Sequence, residues 1–240
     1  MTNHLSLSQR LHEDLKQIIS KTDPGGRLTP EPQLAKELGV SRATLREAMR
    51  TFEVQGLIQR RQGSGTYVMR PAHVIETGLE VLESIETISK RSGLQVTLGK
   101  LKVEENSATE EEARELGIDI HKDVLKISRV IFAENRPVAF LVDTLPQSVI
   151  TKAEIENDFK GSILDMFMQL DHLELAHSRT EIGAVAANQE MARALNIQRG
   201  NALLRLISWL FTVDGKVVDY SFSYFLPGYF RFHVVRELER

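Results

Sequence analysis

VSRATLREAMRTFEVQGLIQRRQGSGTYV, Val40 to Val68, carries the clearest structural pattern in this 240-residue chain. Its first half repeats apolar residues at i, i+3, i+4 and i+7, the spacing of one stripe of an amphipathic helix. These residues are Leu45, Ala48, Met49 and Phe52. Arg42, Arg46 and Arg50, four residues apart, fall on a different stripe. Ser41 precedes the periodic run and is suited to cap a helix that starts with Arg42.

The flanking segments complete a small domain. EPQLAKELGV, from Glu31 to Val40, has an apolar side and a glycine suited to end a helix, and a further helix is predicted from about Leu5 to Ser20. Downstream, GLIQRRQGSGTYV predicts two short strands joined by a glycine-containing loop, with Arg60 and Arg61 on the hairpin. Three helices and a basic hairpin predict a winged helix-turn-helix.

The charges of the chain are divided unevenly along its length. Residues 1–71 contain eleven Lys and Arg against seven Asp and Glu, a balance of +4, whereas the whole chain carries −3. The remaining residues therefore carry −7. A basic N-terminal part with a predicted helix-turn-helix favours a nucleic-acid partner.

Several classes of protein are disfavoured by composition. No apolar run is long enough to span a bilayer, and the polar-punctuated N-terminus resembles neither an anchor nor a signal peptide, so we expect a cytoplasmic protein without a membrane partner. The sequence contains no cysteine, which excludes disulfides, thiolate ligands and cysteine nucleophiles. His172 and His177 are the one close pair of histidines and lack a visible third ligand, so we predict no metal site and no cofactor.

The segment GGRLTPEPQLAKELGVSRATLREAMRTFEVQGLIQRRQGSGTYV resembles the DNA-binding domain of the GntR family of bacterial transcription regulators. In a helix-turn-helix the second helix presents its N-terminal side chains to the major groove. The resemblance implies that Arg42 fixes phosphates, that Arg46 reads a base and that Gly63 approaches the minor groove. The full set expected to contact double-stranded operator DNA is Arg42, Thr44, Arg46, Arg50, Arg60, Arg61, Gly63 and Gly65. Pro32 stands where many family members have a phosphate-binding arginine.

A second domain follows a composition change after Pro71. We expect a DNA-binding domain at 1–71, a linker at 72–78 and a second domain at 79–240. The second domain contains an internal repeat, because the residues from Ala108 align without gaps to those from Ala187, an offset of 79. Each copy predicts a helix and a β-hairpin, with turns at Glu134-Asn135 and at Asp214-Gly215. Two such copies joined by helical segments near 151–170 predict an α+β fold with one antiparallel sheet and helices on one side.

The phrases RVIFAENRPVAFLVDTLP and NQEMARALNI resemble the UTRA effector-binding domain of the HutC-type branch of GntR regulators, whose fold is shared with chorismate lyase. This resemblance implies a small-molecule site between the duplicated halves. Its candidate residues are Thr97, Arg129, Ser162, Asp219 and Phe225. Arg129 and a helix start at Ser162 would suit an anionic effector. Phe225, with Tyr229 and Phe230, would form an apolar wall, although such a stripe is more often core.

The polar groups typical of sugar-phosphate sites in this branch are replaced here. Ile131 and Leu141 stand where relatives often have an arginine and a glutamate, which disfavours a sugar phosphate. We therefore predict a homodimeric repressor, not an enzyme, whose grip on a pseudo-palindromic operator depends on a small molecule. Two alternatives remain at this point: a constitutive dimeric DNA-binding protein without an effector, and a chorismate-lyase-like enzyme.

Overall fold

The structure is a computed structural model that describes residues 6–23, 25–54, 56–61, 63–68 and 74–236. The described residues divide into two compact units. One lies within 1–72 together with 227–229, and the other within 73–226 and 230–240.

The first unit is the predicted winged helix-turn-helix. Its elements are α1 (Leu7–Lys21), α2 (Glu31–Glu37), α3 (Arg42–Val54), β1 (Ile58–Arg61) and β2 (Gly65–Val68). The predicted apolar stripes of the three helices and the hairpin meet in one core that includes Leu15, Leu34, Leu45, Met49, Phe52 and Ile58. The turn between α2 and α3 contains Gly39 at φ +65°, a backbone conformation in which glycine avoids the steric cost that other residues incur. The chain therefore holds α3 across α2 with its polar side exposed.

The second unit is built around a six-stranded antiparallel sheet. Its elements are β3 (Ile75–Gly78), α4 (Ile85–Arg91), β4 (Val96–Ser107), α5 (Glu110–Leu116), β5 (Asp123–Ala133), β6 (Arg136–Pro146), α6 (Lys152–Asp158), α7 (Ile163–Phe167), β7 (Leu175–Ala186), α8 (Gln189–Ala194), β8 (Ala202–Thr212), β9 (Val217–Phe225) and β10 (Phe230–His233). The strand order in the large sheet is β4-β5-β6-β9-β8-β7. The α+β fold expected from the sequence is confirmed.

The internal repeat determines the symmetry of this sheet. Each hairpin, β5–β6 and β8–β9, turns where the sequence predicted; Glu134 and Asn135 both have positive φ, as a two-residue type I′ turn requires. The repeat is longer than the sequence comparison indicated, because β4 and β7 are also 79 residues apart. The two halves join at β6 and β9, where Val142 pairs with Phe222 and Asp143 with Ser221.

Helices cover both faces of the sheet, and the expectation of helices on one side is therefore wrong. On one face, Leu125 and Ile127 of β5 pack with Phe167 of α7. On the other, Val124 of the same strand packs with Leu116 of α5. Successive residues of a strand point to opposite faces, so the adjacent buried residues Val124 and Leu125 show that β5 is covered on both.

Residues 75–78, expected to belong to the linker, form a strand of the second unit. This strand, β3, pairs in parallel with the C-terminal strand β10, with Ile75 opposite Phe230 and Gly78 opposite His233. Residues 72 and 73 of the expected linker lie outside the described residues. The second unit therefore begins before residue 79.

Candidate DNA-binding surface and effector cleft

The start of α3 is fixed by a local cap. The Ser41 hydroxyl accepts a hydrogen bond from the backbone N–H of Thr44 at 3.1 Å and lies 2.8 Å from the Thr44 hydroxyl. Arg42, Thr44 and Arg46 are exposed, whereas Leu45 is fully buried. The buried stripe thus orients the helix, and the cap holds its start, so that the first two turns present the three predicted DNA contacts.

We expect Ser41→Ala to lower the free energy of unfolding of the first domain by about 1 kcal/mol, because it leaves the Thr44 N–H without its cap. Urea titration followed by amide hydrogen exchange in α3 measures this. Ser20→Ala is the control, because exposed Ser20 lies in the last turn of α1, where its hydroxyl donates to the Gln17 carbonyl at 2.8 Å. Equal destabilisation by both replacements would contradict the capping role.

Glu31 organises the arginines of this surface. Its carboxylate lies 2.6 Å from Nε of Arg46 and 3.8 Å from Nε of Arg60. Arg60 also lies 3.5 Å from the carboxylate of Glu53 and donates to the backbone carbonyl of Arg46 at 2.9 Å. The sequence interpretation gave Arg60 a role as charge for the DNA backbone. In the structure its guanidinium ties strand β1 to α3, and its role toward DNA stays a prediction.

A concavity of 600 Å³ lies between α3 and the wing hairpin. Its lining includes Arg27, Arg42, Arg46, Arg60, Gly63 and Gly65, together with Glu31. Gly63 and Gly65 have φ of +74° and +119°, so the tip of the wing presents backbone without side chains. Arg50 is partly buried further along α3. The side chain of Arg61 lies outside the described part of the chain.

Arg27 is a member of this surface that sequence reasoning missed. It follows the Gly25-Gly26 pair, in a segment expected to be only a connection between helices. Its charge was counted in the basic excess of residues 1–71, but no periodic pattern assigns it to a face.

A cleft of 690 Å³ opens in the second unit between α4, the segment 93–96 and the α6–α7 region. Its inner carboxylates, Glu86 and Asp165, are partly buried, whereas Lys90, Asp158 and Lys160 at the rim are exposed. Burial raises the pKa of Glu86. Arg129 opposes that shift, and the nearby carboxylate of Asp165 adds to it. The inner part of the cleft is therefore acidic.

Gly161 and Ser84 hold these two carboxylates in place. Gly161 has φ +120°, and a Cβ there would lie 2.9 Å from Oε1 of Glu86, so the glycine leaves room for the carboxylate. Ser84 donates its hydroxyl hydrogen to Oδ2 of Asp165 at 2.7 Å. The sequence pattern did not single out Glu86 and Asp165, because their approach to one another depends on packing between segments about 80 residues apart.

Of the five candidate effector residues, only Ser162 lines the cleft. Its hydroxyl accepts a hydrogen bond from the Asp165 N–H at 3.0 Å and so caps α7. Thr97 is exposed on β4. Phe225 is buried, with ring centroids 4.7 Å from Phe230 and 5.1 Å from Phe232, so this stripe of aromatics forms core.

Arg129 and Asp219 belong to a buried cluster of charges in the sheet. Arg129 is 6 % exposed, forms an ion pair with Asp143 on the neighbouring strand and lies 5.5 Å from the ring centroid of Phe159. Burial raises the pKa of Asp219 well above its ordinary value, and the carboxylate of Asp143 raises it further. Oδ1 of Asp219 and Nε of Arg129 have no hydrogen-bond partner among the described residues. The charge of Arg129 is thus already compensated within the protein.

Within the described ranges, no group of three or more His, Cys, Asp or Glu is placed to hold a metal ion. No helix in the described ranges is long and apolar enough to cross a membrane.

Family models agree with both units. The model of the bacterial regulatory proteins of the gntR family matches residues 7–68, and the UTRA domain model matches residues 91–231, more than half of the chain. The chain belongs to the GntR family and carries a UTRA domain. It is a ligand-responsive DNA-binding transcription regulator rather than an enzyme.

Curated relatives match along nearly the whole chain. The HTH-type transcriptional repressor NagR of Bacillus subtilis (strain 168) is 27% identical over 89% of this chain and 88% of its own length. The mannosyl-D-glycerate transport/metabolism system repressor MngR of Escherichia coli (strain K12) is 26% identical over 98% and 97%. The HTH-type transcriptional regulator Rv0792c of Mycobacterium tuberculosis is 30% identical over 95% and 84%.

A solved structure shares the fold of this GntR regulator. PhnF from Mycobacterium smegmatis matches with a TM-score of 0.65 at 20% identity, covering 95% of this chain and all of the PhnF chain. The agreement confirms the order of a winged helix-turn-helix followed by an antiparallel sheet domain.

Proposed function

We propose that this regulator is a homodimeric repressor that acts in the cytoplasm on a pseudo-palindromic operator. Relatives named as repressors, NagR and MngR, support the direction of control. Dimerisation is supported by the physics of helix-turn-helix recognition, since one recognition helix contacts too few base pairs for useful specificity. Sedimentation with and without a palindromic duplex tests the dimer, and a monomer that binds single half-sites with full affinity would contradict it.

The observation that carries the proposal of an effector site is the 690 Å³ cleft within the UTRA domain. Its volume lies in the range of pockets for small metabolites. The cleft is lined by α4, which begins at Ile85, only seven residues after β3 ends at Gly78. A ligand that contacts α4 thus acts close in sequence to the segment that connects the two domains. This favours a sensor over a constitutive DNA-binding protein.

The charges of the cleft favour an effector that carries a positively charged nitrogen. The two groups expected to hold an anion are used internally, because Arg129 pairs with Asp143 and Ser162 caps α7. The partly buried groups that face the cleft are instead the carboxylates of Glu86 and Asp165. The Coulomb attraction of a cation bound there would offset the hydration energy that these carboxylates lose through burial. Lys90 and Lys160 at the rim suit a second, negative group, as in a zwitterion.

We expect Glu86→Gln to weaken binding of such a ligand about tenfold or more, the cost of one charge-assisted hydrogen bond. Small amines, amino acids and carboxylates of matched size are screened by thermal shift, and hits are titrated by calorimetry. Glu83→Gln is the matched control, because the Glu83 carboxylate pairs with Arg91 at 2.7 Å outside the cleft lining. Tight binding of carboxylates that lack a cationic group, strengthened by Glu86→Gln, would contradict the proposed effector class.

A further inference from the structure

The segment 25–28 pairs with the wing hairpin as a third, strand-like edge, which the sequence pattern did not predict. The backbone N–H of Gly25 donates to the Val68 carbonyl at 2.7 Å, and Val68 returns a bond to Gly26 at 2.8 Å. Leu28 donates to the Thr66 carbonyl at 2.8 Å. These bonds lie on either side of an antiparallel bridge between Arg27 and Tyr67. The position of Arg27 is therefore fixed by the wing itself.

The side chain of Arg27 occupies the space left open by a glycine at the end of the wing loop. A Cβ at Gly65 would lie 2.5 Å from Nε of Arg27, closer than real Cβ atoms approach, so a side chain at this position would displace the guanidinium. Gly65 therefore lets the guanidinium lie against the backbone of the wing. Because Arg27 is exposed and lines the 600 Å³ concavity, its charge faces the same side as the start of α3.

The arginines of the concavity differ in whether a carboxylate already compensates them. Glu31 lies within ion-pair distance of Arg46 and of Arg60. Among the described residues, neither Arg27 nor Arg42 forms an ion pair. Arg42 lies at the start of α3, the helix expected to face the major groove, whereas Arg27 is held in position by the wing. Arg27 thus supplies an uncompensated charge at the wing, beside the backbone that Gly63 and Gly65 leave bare.

We propose that Arg27 is a DNA-binding residue whose guanidinium enters the minor groove that flanks the half-site, next to the wing tip. Arginine is drawn into narrow minor grooves because A·T-rich sequences concentrate negative potential there. Its weaker hydration than that of lysine favours this position. Arg27 then contributes to sequence preference through the width of the groove and not through contacts to base edges in the major groove.

The experiment compares Arg27→Ala and Arg27→Lys with the wild-type chain on one duplex, selected by the wild-type protein from a randomised pool. A second duplex replaces the flanking A·T pairs by G·C pairs. We expect Arg27→Ala to weaken binding to the selected duplex about tenfold and to lower the slope of log K against log salt by about one. Arg27→Lys should keep the slope but lose the preference for A·T flanks.

Arg199→Ala, an exposed arginine on a turn of the second unit, controls for the change in net charge. Thermal unfolding of each variant shows that the domain is intact. The proposal is overturned if Arg27→Ala binds the selected duplex within twofold of wild type. It is also overturned if Arg27→Lys keeps the preference for A·T flanks, because the contact is then to phosphate.

Discussion

Arg129→Ala is expected to lower the free energy of unfolding of the effector domain by about 3–5 kcal/mol, because it leaves the buried carboxylate of Asp143 without its counter-ion. The pair lies in the sheet with both side chains 7 % exposed. The ring of Phe159 covers the guanidinium, so little water can enter to replace it. The sequence interpretation assigned Arg129 to the effector; the structure shows it as a partner of a framework carboxylate.

The chain provides its own probe for this measurement. Trp209 is its only tryptophan and lies on β8 in the second unit, so its fluorescence during urea unfolding reports that unit. The exposed pair of Arg231 with Glu76, at 3.6 Å, is the matched control, and Arg231→Ala should cost less than about 1 kcal/mol. The double replacement Arg129→Met with Asp143→Leu should recover most of the stability. If Arg129→Ala proves as harmless as Arg231→Ala, the pair does not support the domain.

Arg46→Ala is expected to weaken binding to the operator by about 1–3 kcal/mol and to relax the preference for one base pair in each half-site. Arg46 is exposed at the start of α3, and Glu31 holds its Nε at 2.6 Å, so the guanidinium is oriented before DNA arrives. An oriented fork can form two parallel hydrogen bonds to guanine at a smaller entropic cost.

Arg42→Ala is the comparison variant for Arg46→Ala. Arg60→Ala is unsuitable for this purpose, because Arg60 contacts the same Glu31 and also the backbone of Arg46. Arg42 has no ion pair among the described residues, so its removal should weaken all sequences alike and lower the salt slope by about one. Gel-shift titrations on the operator and its single-base variants, at several salt concentrations, measure both effects. Equal loss of discrimination by the two variants would refute the separate roles.

The sequence was sufficient for elements whose residues are constrained by burial or by a turn. The apolar stripe of α3 and the positive-φ turn at Glu134-Asn135 could each be located within a residue. The strands β4 and β7 could not be recognised as members of the repeat, although they are equivalent. They are the two edges of the sheet and largely exposed, and their aligned twelve residues share no identical position. Exposed edge positions accept many residue types, so the sequence identity between the two copies has been lost there.

The pairing of Arg129 with Asp143 was beyond the sequence for a different reason. The hairpin turn alone would place Arg129 opposite Phe140, which would turn Asp143 to the other face of the sheet. A bulge between Ile131 and Phe132 shifts the register by one residue, so that Arg129 lies opposite Leu141 and on the same face as Asp143. The place of Glu86 in the cleft could not be predicted either, because Glu86 reaches the cleft only through packing between distant segments.

The parallel pair of β3 and β10 brings the two ends of the effector domain together. The strand after Val74 and the strand that ends at His233 lie side by side, so the chain enters and leaves the domain within about 10 Å, the length of three residues of strand. Domains with neighbouring ends tolerate circular permutation and insertion into a loop of a host protein. An excised UTRA unit should therefore begin ahead of β3, because a cut at residue 79 would remove the strand with which β10 pairs.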